Sequence, residues 1–167
     1  TVSGTTERTL RNQLLMSMFD QVLDIVYTEK IREDEGGTYG VYSSGSISRY
    51  PEGQTILQIM FDTDPEKMSH LNSIVLRELN LIASEGPREG DFSKVKEYMN
   101  KSFDENLKEN RYWLNNLNTK YFYSEDNHTN YLETVNSITA DDIKMFASNL
   151  LENGDLKTVV MLPVVEE

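Results

Sequence analysis

Cysteine is absent from the 167 residues, so no disulfide, thiolate metal site or cysteine nucleophile can be built, and the redox compartment cannot be read from thiols. Positive charge is scarce as well. Sixteen Lys and Arg face 28 Asp and Glu, which leaves a net charge of −12. A field of that sign repels phosphate backbones and anionic lipid, and no lysine or arginine cluster offers local relief, so nucleic acid is not an expected partner. An acidic field can also draw cationic peptides towards a cleft, but its ordinary role on a soluble domain is to maintain solubility. Long apolar runs are missing too: none reaches the roughly 18 residues of a membrane span, and no membrane span is expected. Thr1 does not open a signal peptide, so a signal in the intact protein would lie upstream and the compartment stays unknown.

Histidine is limited to His70 and His128, and neither sits in a His-Glu-x-x-His or His-x-x-Glu-His arrangement. No zinc site is therefore encoded in this chain, and both histidines read as surface or partly packed residues. The serines at 43, 44, 46 and 48 lack a Gly-x-Ser-x-Gly elbow and read as strand-face residues. Gly36 and Gly37 are no phosphate cradle, because no Gly-Lys-Ser/Thr follows and Glu33, Asp34 and Glu35 would repel the ligand.

What is present suits one compact α+β unit. An apolar fraction of 38% and a charged fraction of 26% are ordinary for a soluble globular domain. Leu10, Leu14, Met18, Val22 and Val26 recur every fourth residue, with Leu15, Phe19 and Leu23 widening the stripe, which predicts a helix from about residue 7 to about residue 33. Residues 38–48 then alternate, with Tyr39, Val41, Ser43, Gly45 and Ile47 on one face, and Tyr50 to Gly53 form a turn into a second β-rich run at 55–61. Asp64-Pro65-Glu66 marks the start of another helix, whose stripe is Met68, Leu71, Val75, Leu79 and Ile82. Phe92, Val95, Met99 and Phe103 mark a third, with a break near Asn110. Trp113, Tyr121, Phe122 and Tyr123 follow at helical spacing and are expected in core or inter-domain packing. Thr139 and Asp142 form a capping pair for a last helix, and the apolar run at 156–162 predicts a strand buried on both faces. The expected architecture is an antiparallel or mixed sheet covered by helices. Only three strands are visible beside so much helical stripe, so the first strands are expected to lie before Thr1.

The informative segment is Ile31-Arg32-Glu33-Asp34-Glu35-Gly36-Gly37-Thr38-Tyr39-Gly40-Val41, which joins the end of the long helix to the first predicted strand. It resembles the second signature of pitrilysin-type (insulinase-type, or inverzincin) zinc metallopeptidases, in which an arginine and a tyrosine seven positions apart flank an acidic, glycine-bearing turn. Arg32 and Tyr39 have that spacing. Tyr27-Thr28-Glu29-Lys30, the helix opening at Ile138-Thr139-Ala140-Asp141-Asp142 and the terminal apolar strand extend the likeness over nearly the whole chain.

The resemblance implies that residues 1–167 form a single C-terminal half-domain of a larger multi-domain peptidase, lacking the zinc ligands. In such enzymes the zinc sits in an N-terminal half, on a His-x-x-Glu-His helix, and the two halves enclose a peptide-digesting chamber. Arg32 would hold substrate backbone carbonyls and Tyr39 would stabilise the tetrahedral intermediate. The implied partners are the zinc-bearing half, on the same or a partner chain, and the peptide substrate. This chain alone would cleave nothing. The competing expectation is a catalytically inactive peptidase-like subunit serving in peptide binding or assembly.

Overall fold

The computed structural model describes residues 1–36, 38, 40–51 and 53–162. Its sheet has four antiparallel strands: β1 (Val2–Thr5), β2 (Val41–Ile47), β3 (Gln54–Phe61) and β4 (Asp155–Leu156). Their spatial order is β2-β3-β1-β4. The hairpin β2–β3 runs in register from Val41 opposite Phe61 to Ile47 opposite Thr55. β1 joins the other edge of β3, pairing Val2 with Leu57 and Thr5 with Gln54. Four residues, Val-Ser-Gly-Thr, carry too little alternation to be read as a strand in advance, so the sheet gains a member that the apolar pattern did not announce.

Helix α1 (Leu10–Tyr27) starts where the Thr9 hydroxyl accepts the Asn12 amide at 3.1 Å. It buries Leu14, Leu15, Met18, Phe19, Val22, Leu23 and Val26, the stripe expected from the fourfold recurrence. The single long helix expected over residues 7–33 is divided. After Tyr27 it loosens into a π-helical turn over Thr28–Glu33, closed by the Asp34 amide donating to the Glu29 carbonyl, five residues back, at 2.9 Å. Ile31 remains fully buried in this turn, which ties its far end to the core.

Strand β2 lies on α1 with Val41, Ser43, Gly45 and Ile47 inward and Tyr42, Ser44 and Ser46 outward, as the alternation required. Gly45 allows the close approach: a Cβ there would stand 2.4 Å from the Met16 Sδ and 3.0 Å from its Cγ. Next to it the Ser43 hydroxyl donates to the Asp20 carboxylate at 2.6 Å, and Asp24 accepts from the Ser43 amide at 3.1 Å. Burial raises the Asp20 carboxyl above the usual carboxylate range, against the opposing Ser43 hydrogen bond and with help from the Asp24 charge.

Helices α2 (Met68–Glu85), α3 (Glu89–Asn106), α5 (Tyr131–Ser137) and α6 (Ala140–Asn153) complete one continuous core with α1 and the sheet. α2 begins three residues later than the Asp64-Pro65 pair suggested, because residues 65–67 form a turn in which the Lys67 amide donates to the Asp64 carbonyl. α6 opens on the anticipated capping box: Asp142 N–H donates to the Thr139 hydroxyl at 3.2 Å, and Thr139 N–H to the Asp142 carboxylate at 2.8 Å.

The packing overturns the core half of one expectation and the whole of another. Helix α4 (Asn110–Tyr123) buries none of its side chains, and Trp113, Tyr121 and Phe122 are exposed, so a core role for that aromatic series is excluded. The terminal apolar run is not sandwiched either. β4 stops at Leu156 after pairing with Val2 and Ser3, and one further pair of backbone bonds joins Thr1 and Lys157. Val159, Met161 and Leu162 then stand 85%, 92% and 67% exposed. An apolar run has the same composition whether or not a neighbouring strand is there, which is why periodicity misjudged it.

Candidate functional site

The junction between α1 and β2 is held by a set of paired charges. Arg88, at the start of α3, reaches back across 59 positions and clasps Glu29 with two bonds of 3.1 and 2.7 Å, while its Nε donates to Asp91 at 2.5 Å. Lys30 bridges Glu29 and Asp34 at 2.7 and 3.0 Å. The Arg88 hydrogen bonds, followed by that of Lys30, pull the Glu29 carboxyl down to about 2. Glu35 meets His70 of α2 at 3.1 Å. Beneath them Tyr27 is fully buried and donates its hydroxyl to the Val75 carbonyl at 3.2 Å; burial, and secondarily the Glu78 charge, pushes its phenol well above the ordinary range.

Arg32 stands apart from this lattice. It lies on the π-helical turn with its side chain exposed, and among the described residues that side chain makes neither an ion pair nor a hydrogen bond. Its neighbours Lys30 and Arg88 are both occupied, so Arg32 is the guanidinium at this junction with its donors available. Tyr39 and Gly37 lie outside the described residues. Of the described residues here, the Thr38 hydroxyl accepts the Gly40 amide at 3.2 Å and donates to the Gly40 carbonyl at 3.0 Å. Beyond it the ring of Tyr42 lies over Gly40, close enough that a Cβ on Gly40 would meet its Oη at 3.3 Å. Tyr42 is 69% exposed on the outward face of β2, opposite Met60. The alternation that placed Val41 and Ser43 inward already implied its outward direction.

The described residues do not fit a zinc ion. No group of three or more His, Asp and Glu side chains among them could hold a metal. His70 is engaged by Glu35, and His128 shares a 2.8 Å hydrogen bond with Tyr112 while stacking on Phe103. Two cavities that open among the described residues lie elsewhere. The larger, about 390 Å³, is bounded by Gly4, Thr5, Asn12, Phe146 and Asn149, and the smaller by Gln21, Asp24, Lys94 and Tyr98; Arg32 lines neither.

Comparison with known families decides the assignment, since residues 1–99, more than half of the chain, match the profile described as the peptidase M16 inactive domain. The chain belongs to this family. The matched residues contain β1, α1, the junction, the hairpin, α2 and most of α3, so the M16 assignment rests on the part that carries Arg32. Solved structures agree in fold. The periplasmic protease PqqL from Escherichia coli is 18% identical with a TM-score of 0.73, over 87% of this chain and 17% of that one. A peptidase M16 inactive domain from Pseudomonas fluorescens is 18% identical with a TM-score of 0.72, over 89% of this chain and 36% of that one. A protease from Helicobacter pylori is 13% identical with a TM-score of 0.73, over 91% and 38%. This M16 domain therefore spans well under half the length of each of these structures, and at such identities the likeness is one of fold. No curated protein sequence matches the chain. The pitrilysin-type resemblance drawn from the Arg32 segment and the α+β architecture both agree with the family and its neighbours.

Proposed function

We propose that this M16 domain completes the peptide-binding chamber of a larger zinc-dependent endopeptidase, whose metal is carried by another half on the same or a partner chain. Arg32 binds substrate backbone carbonyls, and Tyr39 donates to the oxygen on which negative charge develops as the peptide carbonyl becomes tetrahedral. The carrying observation is the isolation of Arg32: an exposed guanidinium without a side-chain partner among the described residues, in a junction where Lys30 and Arg88 are paired. A guanidinium left open on a turn bordered by these ion pairs has its donors free for a substrate carbonyl. Zinc activates water when bound in the other half; the groups contributed here are hydrogen-bond donors. Both a phenol and a guanidinium keep their protons at neutral pH, and donors aimed at a developing oxyanion act more strongly on the transition state than on the substrate.

The test is hydrolysis of an unfolded peptide by the intact protein carrying Tyr39→Phe or Arg32→Ala, with zinc content and circular dichroism measured in parallel. Tyr39→Phe is expected to lower kcat by roughly 10²- to 10³-fold, the loss typical for one oxyanion donor. Arg32→Ala is expected to act more on KM. Unchanged kinetics in both variants with normal folding would refute the assignment. The description of the family as an inactive domain suits a completing half and equally a catalytically silent subunit. A His-x-x-Glu-His helix elsewhere in the intact protein favours the first.

A further inference from the structure

Helix α4 is amphipathic in the wrong sense for a free surface. Tyr112, Asn116, Thr119 and Tyr123 recur at helical spacing and are its half-buried positions, turned to the body of the domain. They are held by polar and aromatic contacts: Tyr112 hydrogen-bonds His128 at 2.8 Å, and the Arg49 guanidinium sits 3.6 Å from the centre of the Tyr123 ring. Arg49 also clamps Glu125 just past the helix with bonds of 2.8 and 2.9 Å. The apolar stripe points away. Trp113, Leu114, Leu117 and Tyr121 are 40%, 67%, 49% and 81% exposed, and Phe122 beside them is 76% exposed. Trp113 is oriented by donating its indole N–H to the Leu107 carbonyl at 2.9 Å, so the face is fixed in place.

Its charge is also unlike the rest of the chain. Asn110–Tyr123 contains no acidic residue, in a protein of net charge −12, and of its two cations Lys120 is paired with Asp126 at 2.8 Å while Arg111 is left to the face. Aromatic side chains present roughly 150–250 Å² each, so these exposed fractions amount to about 500–600 Å² of apolar surface. Two such faces paired between copies would bury on the order of 1,000–1,200 Å², at or below the lower limit of a stable free-standing interface. Tethering removes that limitation, because a flexible connection supplies an effective concentration in the millimolar range. Anionic lipid is disfavoured by the net charge of the chain.

We infer that the outward face of α4 docks an adjoining domain of the same polypeptide, on an apolar patch edged with a carboxylate that meets Arg111. The inference rests on the reading of this chain as one domain of a larger peptidase. The experiment places the photo-crosslinking residue p-benzoylphenylalanine at Leu117 of the intact polypeptide, in the presence of vesicles of phosphatidylcholine and phosphatidylglycerol, and maps the products by mass spectrometry. The expected product is an intramolecular link to a segment outside residues 1–167. A link to a second copy, a lipid adduct or no adduct would each overturn it. In parallel, Leu117→Glu should speed amide exchange across Asn110–Tyr123 by about tenfold while leaving the core helices unchanged. Equal exchange in both proteins would also count against the interface. Peptide hydrolysis is assayed on the same samples: a cross-link without hydrolysis retires the peptidase reading and keeps the docking face, and hydrolysis without a cross-link does the reverse.

Discussion

Gly45→Ala probes how tightly the site-bearing hairpin is seated on α1. The added methyl would start 2.4 Å from the Met16 Sδ, and Met16 is only 1% exposed, so its side chain has no free space to enter. Overpacking of this kind costs roughly 1–3 kcal/mol. Replacing glycine also lowers the entropy of the unfolded chain, which offsets about 0.4–1 kcal/mol where the backbone is compatible with alanine. The two effects leave a net loss of roughly 1–2 kcal/mol, or a fall of about 0.5–1 M in the urea midpoint at a slope near 2 kcal/mol per molar. Urea denaturation followed by the fluorescence of the single tryptophan and by circular dichroism reads this directly. The second arm repeats the substitution in a Met16→Ala background, where the sulfur and methylene that obstruct the methyl are gone. There the steric cost disappears and only the entropic gain remains, so Gly45→Ala should become neutral or stabilising by up to about 1 kcal/mol. A cost that persists unchanged in that background would show that Met16 is not what reserves the position for glycine.

Glu29→Gln should lower the melting temperature at neutral pH, because it disrupts the clasp with Arg88. The Glu29 carboxyl is depressed from 4.5 to about 2, so its contribution is fully present above about 4.5 and is lost as pH falls through about 2. The gap between wild type and variant should therefore narrow across that window in thermal melts at stepped pH, and a constant gap would contradict the clasp. Thr139→Ala removes one side of the α6 capping box and should cost about 1 kcal/mol, seen as a melting temperature roughly 2–4 °C lower.

The elements with a sustained period were legible in advance. The apolar faces of α1, α2 and α3 were marked by side chains recurring every three or four residues, most of which form the core, while α6 was announced by its capping pair. β2 was legible because its small, inward Ser43 and Gly45 alternate with outward Tyr42 and Ser44. What was hidden depends on contacts between distant residues. β1 exists because Val2–Thr5 finds the open edge of β3, and nothing within its four residues says so. The outward turn of the α4 stripe is set by Arg49 and His128, which come from two different loops. At the site, Arg32 was found through its spacing to Tyr39. Its lack of a partner became visible only when Arg88 and His70 were seen to occupy the acids around it.

The hydrogen bond from Asp34 to Glu29 spans five residues where an ordinary helix spans four, so the chain between Thr28 and Glu33 holds one residue more than a continuous α-helix would need. Each residue of an α-helix turns the next by about 100°. The extra one thus acts as a rotary offset, deciding the azimuth at which the guanidinium of residue 32 leaves the rod while Tyr27 and Ile31 keep their footing inside. Shortening the segment by a single position would regularise the spiral and swing that group by roughly a quarter of a circle, leaving its chemistry intact and its aim spoiled.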